Sequence, residues 1–410
     1  MERYRSWLAA AMVCAGCQFP VEARQDGAQW YHAHLITKQG DQIPFFLRLP
    51  EDCGRETATI VNGEESIPTA CERSETGFVI DFPLYGSRIV AEFEPNEPST
   101  SASGQWSHRG PGAGETTTRF EARPVSGPDP QARFPMGSEA SDEASADVSG
   151  VWRFEFDLYG IARGVFEQEP TQVVTGTIEV PSEYGDLRFL AGIVRGRRMY
   201  LSTFDGGHAF LLEGRLKPDG TMEGEWVHGG DVWDPFVAER APDFQLPDPL
   251  DRVRLAPGTA RLDLEPLRSP KYAGKAVIVE IFGSWCPNCN DLAPVLAELH
   301  RKHRAEGLEI LGLAFEYSSA ADNERRVRQF KDKHGADWEV VIVEENYEDL
   351  IKEGLAGLTS VEGVPVTIFV NRDGTVHAIY TGFSGPATGE GYTQARAQFE
   401  TLTTEILRGK

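Results

Sequence analysis

The chain has 410 residues, enough for two or three domains at roughly 150 residues each. Its 40 Lys and Arg against 63 Asp and Glu give a net charge of −23, which argues against a nucleic-acid partner because few cations are available to displace counterions. Apolar residues make up 40% and aromatic residues 10% of the chain, which excludes wholesale disorder.

The N-terminus has the features of an export signal. Two arginines within residues 1–5 precede an apolar run of about ten residues, which is too short to cross a membrane but has the length of a signal-peptide core. We predict a signal peptide over residues 1–16 and a location in the cell envelope, on the periplasmic side. An ordinary cleaved signal or a cytoplasmic N-terminus is the alternative.

The end of this run, Ala15-Gly16-Cys17, resembles the lipobox of bacterial lipoproteins, in which small residues precede a cysteine that becomes lipidated. The resemblance implies that Cys17 carries acyl chains, which would hold the protein at a membrane surface. The chain departs from the family's pattern at Cys14, where leucine is usual.

Four further cysteines form two pairs that are local in sequence, Cys53 with Cys71 and Cys286 with Cys289. Polar turn residues separate Cys53 from Cys71, and a bridge between them in an oxidising compartment would contribute roughly 3 kcal/mol by closing a loop. We therefore predict a structural disulfide. Two free buried thiols are the alternative if the protein stays in a reducing cytosol.

Two β-rich units lie on either side of residues 125–149, a segment rich in Pro, Ser, Asp and Glu that cannot bury enough surface to order itself. Short alternating segments such as FVIDF and MYLSTF, separated by Gly-containing turns, predict antiparallel strands. The units repeat each other at a spacing of about 120 residues. The duplicated region is predicted to form two similar sheets or barrels, or two halves of one larger barrel.

The most specific repeated motif is GxWxH, which ends at His108 in the first unit and at His228 in the second. Such strand residues usually cap the end of a β-layer, so we predict structural roles for both histidines. A paired ligand site is the alternative.

From about Thr259 the pattern changes to strands that alternate with helices. Residues 276–282 and 308–315 are apolar runs typical of strands buried on both faces, and residues 290–304 have helical spacing. Further helices are predicted over 322–334, 347–355 and 393–407, and strands over 338–343, 366–370 and 376–380. These elements predict an α/β domain whose central sheet is covered by helices on both sides.

The predicted fold class is therefore multidomain, with an all-β duplicated N-terminal region followed by an α/β domain. A second Pro-rich stretch marks the boundary before the last domain. The predicted organisation is a signal peptide, a β-rich unit, a linker, a second β-rich unit, a second linker and the α/β domain, at residues 1–16, 17–124, 125–149, 150–242, 243–258 and 259–410.

The sequence Trp285-Cys286-Pro287-Asn288-Cys289 places two thiols at a junction between a strand and a helix. Free N–H groups and the positive end of the helix dipole favour the thiolate form of Cys286, which can attack a disulfide. Cys289 is placed to attack the resulting mixed disulfide. A zinc half-site and a structural disulfide are the alternatives, but the domain offers no second Cys pair, so we expect no metal. His300 and His303 in the following helix lie among basic residues and are predicted to face the solvent rather than to bind a metal.

These features resemble the thioredoxin superfamily and, within it, the exported thiol-disulfide reductases of the TlpA and ResA type, over about residues 250–410. The resemblance rests on WCxxC after an apolar strand, on Pro294 in the following helix, on Gly363-Val364-Pro365 before a late strand, and on an insertion that contains a helix. It implies that Pro365 follows a cis peptide bond. It also implies that Trp285 and the backbone of Val364 contact an incoming client chain.

Glu280 lies six residues before Cys286, where thioredoxins keep a buried acid. A strand buried on both faces disfavours the charged carboxylate, so we expect a raised pKa and proton exchange with Cys289. A solvent-wetted edge position is the alternative. The acid that ResA-type proteins place three residues after the second cysteine is replaced here by Leu292.

The predicted function is protein-disulfide reduction by the redox-active Cys286–Cys289 pair, without a bound cofactor. The expected partners are disulfides of client proteins and, as in the resembling family, a membrane thiol donor. One alternative is an envelope lipoprotein that binds a ligand or client and carries an accessory thioredoxin-like domain. Another is a peroxiredoxin-like antioxidant, although the Thr-x-x-x-Cys pattern of that chemistry is missing before Cys286.

Overall fold

The structure is a computed structural model that describes residues 27–94, 101–109, 114–134, 145–343, 355, 357–359, 361 and 363–409. The predicted signal peptide, Cys17 and most of the helix predicted over 347–355 lie outside the described residues. Within these ranges, no helix is long and apolar enough to cross a membrane.

The first β-rich unit is a closed antiparallel barrel of eight strands. The strands are β1 (Gln29–Ile36), β2 (Gln42–Leu49), β3 (Ala58–Asn62), β4 (Glu65–Arg73), β5 (Gly77–Phe82), β6 (Ser87–Phe93), β7 (Ala102–Arg109) and β8 (Glu115–Val125). Each strand pairs with the next along the chain, and β1 pairs with β8, with Trp30 opposite Val125. Alternating side chains fill the interior, including Phe45 and Phe120.

The second β-rich unit is also closed. Its strands are β9 (Gly150–Phe156), β10 (Gly160–Gln168), β11 (Val173–Val180), β12 (Gly185–Asp186), β13 (Leu190–Arg195), β14 (Arg198–Phe204), β15 (Ala209–Leu216), β16 (Met222–His228) and β17 (Val232–Arg240). Their order is β10-β9-β17-β16-β15-β14-β13-β11-β12, and pairing of β10 with β11 closes a ring of eight strands with β12 outside it. The duplicated region is therefore two barrels rather than two halves of one.

Arg133 lies in the segment that the sequence predicts to be a linker, yet its side chain is buried between the two barrels. Its guanidinium donates to Ser202 Oγ at 2.9 Å and to Asn62 Oδ1 at 3.0 Å. The expectation that residues 125–149 cannot order themselves therefore does not hold around Arg133, because the barrels on either side supply the buried surface. The predicted limits of the domains stay predictions.

The C-terminal domain is a five-stranded sheet with helices on both faces. Its elements are β18 (Ala276–Phe282), α1 (Pro287–His303), β19 (Leu308–Ala314), α2 (Ala320–His334), β20 (Glu339–Ile342), β21 (Val366–Val370), β22 (Val376–Thr381) and α3 (Glu390–Arg408). The strand order is β20-β19-β18-β21-β22, with β18, β19 and β20 parallel and the last two antiparallel. The central strand β18 consequently has neighbours on both edges.

Apolar side chains cover both faces of this sheet. On one face Ile278 of β18 belongs to a cluster with Leu296 of α1 and Phe399 of α3. On the other face Val279 belongs to a cluster with Phe330 of α2. The predicted fold class, a duplicated all-β region followed by an α/β domain, is confirmed.

Candidate active site

Cys286 and Cys289 lie where β18 leads into α1. Cys286 is the N-cap residue of α1, and its Sγ accepts a hydrogen bond from the Cys289 N–H at 3.2 Å. Pro287 takes the first helical position, where the N–H that it lacks would have no partner inside the helix. Both cysteines are free thiols in this structure, with Cys286 4% exposed and Cys289 fully buried.

The loop before β21 brings Val364 and Pro365 to the cysteine pair. The peptide bond between these two residues is cis. The Cys286 thiol donates to the Val364 carbonyl at a distance of 3.6 Å between sulfur and oxygen. Trp285 is held beside them by its indole N–H, which donates to the Phe315 carbonyl at 2.8 Å. The structure thus places the predicted client-contacting residues around Cys286.

Glu280 is fully buried in the central strand, where it lies opposite Gly312 of β19 and Thr367 of β21. Burial raises the pKa of its carboxyl group to about 8. Burial, together with a hydrogen bond to Cys286, raises the pKa of the Cys289 thiol, and the charge of Glu280 raises it further. The carboxyl group and the inner thiol are therefore coupled electrostatically.

Two polar residues that the sequence analysis did not single out hold the loop around Trp285. Glu316, just after β19, accepts hydrogen bonds from the Ser284 N–H at 2.8 Å and from its hydroxyl at 2.9 Å. Asn290 donates to the carbonyls of Ser284 and Cys286, both at 2.9 Å. The sequence feature that could have identified Glu316 is its position just after an apolar strand. This position does not reveal that Ser284 is its hydrogen-bond partner.

The prediction that His300 and His303 of α1 face the solvent is wrong. Both side chains are buried. His300 Nδ1 lies 2.7 Å from Asp337, and His303 Nε2 lies 3.1 Å from Glu400 of α3. Elements packed at the end of α1 cover the rings. Among the described residues, no group of three His, Cys, Asp or Glu side chains could hold a metal ion.

Cys53 and Cys71 form a disulfide in the first barrel, with Cα atoms 5.3 Å apart. Cys71 lies in β4, and Cys53 lies in the loop that connects β2 to β3. The bridge therefore fastens this loop to a strand of the barrel, and it belongs to a different apolar cluster from the Cys286–Cys289 pair.

His108 and His228, the two histidines of the repeated GxWxH motif, each contact residues of the barrel to which they belong. The His108 ring stacks on Trp106 at 3.9 Å between ring centroids and lies 2.7 Å from the Thr116 hydroxyl. His228 Nδ1 lies 2.9 Å from the Tyr159 hydroxyl. Burial lowers the pKa of His108 to about 4 and that of His228 to about 3, so both rings are neutral near pH 7.

Residues 237–379 match the AhpC/TSA family. This part of the chain is a thioredoxin-superfamily domain. The match spans β18 to β21, and it includes both cysteines and the cis proline.

Curated proteins similar to this chain carry names that refer to thiol chemistry. Thiol-disulfide oxidoreductase ResA of Halalkalibacterium halodurans is 25% identical over 123 residues, which is 30% of this chain and 62% of the relative. ResA of Geobacillus thermodenitrificans is 26% identical over 36% of this chain and 70% of its own. Thiol:disulfide interchange protein CycY of Rhizobium leguminosarum bv. viciae is 32% identical over 28% of this chain and 55% of its own.

One similar solved structure is a thiol:disulfide interchange protein of the thioredoxin family from Chlorobium tepidum TLS. It is 19% identical, covers 38% of this chain and 97% of its own, and has a TM-score of 0.27. The chain spans 62% of the length of the first ResA relative. The similarity to known proteins therefore concerns a part of the molecule.

Proposed function

We propose that the thioredoxin-superfamily domain reduces protein disulfides through Cys286 and Cys289. The observation that carries the proposal is the position of Cys286 Sγ, which contacts both the Cys289 N–H and the Val364 carbonyl. A backbone N–H at a helix start stabilises a thiolate, and the backbone of an extended segment beside it can pair with an extended client chain. The names of the curated relatives, thiol-disulfide oxidoreductase and thiol:disulfide interchange protein, support this chemistry.

The proposed exchange has two steps. The Cys286 thiolate attacks one sulfur of the client disulfide, whose S–S bond breaks while a mixed disulfide forms, and the other client sulfur leaves as a thiolate that takes a proton from water. Cys289 then loses its proton and attacks Cys286 Sγ, which releases the second client thiolate. The Cys286–Cys289 disulfide remains, and two electrons have passed to the client without a bound cofactor.

Glu280 is the proposed base for the second step. Because the pKa of Cys289 is raised by burial, its proton has to be removed inside the protein rather than by bulk water. A carboxyl group with a pKa of about 8 is basic enough to take this proton and acidic enough to return it. Trp285 and the Val364 backbone are the proposed contacts for the client chain.

We further propose that the protein is exported and held at the periplasmic face of a membrane by lipid on Cys17. The Cys53–Cys71 disulfide supports export, because such bonds persist in oxidising compartments and are rare in the cytosol. In that location a membrane thiol donor would return the Cys286–Cys289 pair to its reduced form.

Insulin reduction by the purified protein tests the proposed function. Cys286→Ser is expected to abolish turnover because no nucleophile remains, whereas Cys289→Ser is expected to accumulate a mixed disulfide between Cys286 and insulin. Turbidity reports turnover, and non-reducing electrophoresis reports the trapped complex. Cys17→Ser is the matched control, since it replaces a cysteine outside the proposed site and is expected to keep wild-type turnover.

The same assay separates the alternatives. Turnover retained in Cys286→Ser would contradict the catalytic assignment. Peroxide consumption without insulin reduction by the wild-type protein would favour an antioxidant function. A folded wild-type protein that exchanges neither disulfides nor peroxide would favour a binding protein with an accessory domain.

A further inference from the structure

Leu84 and Tyr184 bring both barrels to the redox-active cysteines. Leu84 lies between β5 and β6 of the first barrel, and Tyr184 lies between β11 and β12 of the second. Both side chains are buried in one apolar cluster with Cys286, Cys289 and Val364. In this arrangement Cys286 is 4% exposed and Val364 is 5% exposed.

Residues 181–188 of the second barrel, here named the covering loop, make the closest contacts. The Tyr184 ring lies against Gly363, where an added Cβ would be 3.0 Å from the ring. Gly185 lies against Asn288 of the WCPNC motif, and an added Cβ at Gly185 would be 2.0 Å from the amide nitrogen. The covering loop therefore fills the space over the cysteine pair, where a client chain is proposed to bind.

Arg188 ties the covering loop to α1 and to the first barrel. Its guanidinium forms ion pairs with Asp291 of α1, with Glu65 of β4 at 2.7 Å and with Asp205 at 3.8 Å. All four side chains are largely shielded from solvent. Buried ion pairs of this kind contribute little net stability, because the loss of hydration offsets much of the attraction between the charges.

The first barrel covers the Trp285 side of the site. The Tyr317 hydroxyl, near the Trp285 ring, donates to the Tyr85 carbonyl at 3.1 Å. An added Cβ at Gly86 would be 2.1 Å from the Arg326 guanidinium, so the chain of the first barrel approaches the thioredoxin-superfamily domain closely here. Both barrels thus meet this domain around its cysteines.

We propose that the covering loop is a gate, and that protein clients are reduced only after the barrels move away from the cysteines. This inference rests on the proposed disulfide-reductase function and adds its regulation. Attack requires a client sulfur to reach Cys286 Sγ, and client binding requires free backbone at Val364. The closed arrangement leaves neither accessible. The covering loop contacts the C-terminal domain through an ion pair, a few apolar side chains and hydrogen bonds, such as those from the Phe383 N–H to the Tyr184 carbonyl and from the Gly385 N–H to Asp186 Oδ1. Partly polar contacts of this kind are typical of domains that move relative to each other.

Tyr184→Gly tests the gate. Tyr184 has a φ of 57°, in the left-handed region that glycine adopts without strain, so the substitution removes the covering ring and leaves the backbone conformation favourable. In the reduced full-length protein, we expect Cys286 to react about tenfold faster with a bulky maleimide, because labelling follows the population of the open state. Mass spectrometry of the peptide that contains Cys286 measures the rate.

Gln172→Gly is the matched control. Gln172 also has a left-handed φ, 71°, and it lies at the other end of β11, about 25 Å away by strand rise. Its labelling rate is expected to equal that of the wild type. Wild-type labelling as fast as that of urea-unfolded protein, or equal labelling of wild type and Tyr184→Gly, would overturn the gate.

A second pair of variants keeps the test decisive if Tyr184→Gly does not fold. Asp291→Asn removes one ion pair to Arg188 and is expected to accelerate labelling by the bulky maleimide about threefold. Glu298→Gln is the control, because it removes an ion pair between α1 and Arg396 that lies inside one domain, and it is expected to leave the labelling rate unchanged. A shift in the pH at which labelling reaches half of its maximal rate would indicate altered thiol chemistry and contradict gating. Since labelling needs no client, accelerated labelling in a protein that reduces no disulfide would reject the proposed function and support the gate.

Discussion

Glu280 is a carboxyl group without a partner at the centre of a sheet. Neither of its oxygens has a hydrogen-bond partner among the described residues. A charged carboxylate in such a place is costly, so the group holds its proton to a much higher pH than an exposed acid. A sheet core that only needed stability would gain from an apolar side chain here, so the acid is consistent with a role in proton transfer.

The buried acid predicts a specific pH dependence of stability. Its pKa is about 8 in the folded protein and near 4.5 when unfolded, so the folded state binds the extra proton between these values. The free energy of unfolding therefore falls as pH rises through this window, by up to about 1.4 kcal/mol per pH unit from this group. Glu280→Gln removes this contribution. We therefore expect the free energy of unfolding of the variant to rise relative to that of the wild type between about pH 5 and about pH 8.

Urea unfolding at both pH values measures this difference. Glu298→Gln, an exposed acid of α1, is the control, and its stability is expected to run parallel to that of the wild type. A constant gap between Glu280→Gln and wild type at the two pH values would mean that Glu280 is ionised throughout and that burial does not raise its pKa.

At the scale of elements, the repeated GxWxH motif is explained by close strand packing. An added Cβ at Gly104 of β7 would be 2.0 Å from the Val90 carbonyl oxygen, and one at Gly224 of β16 would be 1.9 Å from that of Glu213. Two residues later, the tryptophan of each motif is fully buried in its own barrel. Each motif therefore has a glycine that lets the neighbouring strand approach closely, and two residues later a tryptophan that fills the core of the barrel.

Alanine at either glycine is expected to destabilise its barrel. The added methyl group meets a backbone carbonyl that belongs to the sheet, so Gly104→Ala and Gly224→Ala are each expected to cost about 1–3 kcal/mol. Gly127→Ala is the matched control, because an added Cβ there meets nothing within 4 Å. Urea unfolding followed by tryptophan fluorescence measures all three, and unchanged midpoints for the first two would contradict the tight strand contact.

At the scale of the whole molecule, two buried arginines connect the two barrels and the C-terminal domain. Arg133 joins the barrels to each other, and Arg188 joins them to α1, the helix that contains Cys289. Each guanidinium reaches several acceptors on elements far apart in sequence. The two barrels also share an apolar cluster that includes Phe45 and Phe204, whereas their contact with α1 is partly polar. This difference is consistent with a movement of the two barrels together.

Arg133→Met is expected to weaken the contact between the barrels. The substitution leaves buried acceptors on Asn62 and Ser202 without their donor and is expected to cost about 3 kcal/mol. Arg119→Met, an exposed arginine of the first barrel, is the control and is expected to change stability by less than about 0.5 kcal/mol. Calorimetry measures both, and equal effects of the two substitutions would show that Arg133 does not connect the barrels.

Local patterns were sufficient to predict much of this molecule. A continuous apolar run defines β18, helical spacing defines α1, and two cysteines at their junction follow directly from the chain order. Duplication of the β-rich region was also visible, because strand alternation and turn residues repeat within each unit. These features depend on residues that are close in sequence, so they can be predicted from a single sequence.

The tertiary structure alone decided three other features. Closure of each unit into its own barrel depends on pairing of distant strands, such as β1 with β8. The burial of Arg133 and of the two α1 histidines comes from residues far along the chain. The covering loop has no motif, since Tyr184 becomes important only where folding places it against Gly363. Composition and spacing determine local conformation, but contacts between distant segments determine which surfaces remain accessible to a client.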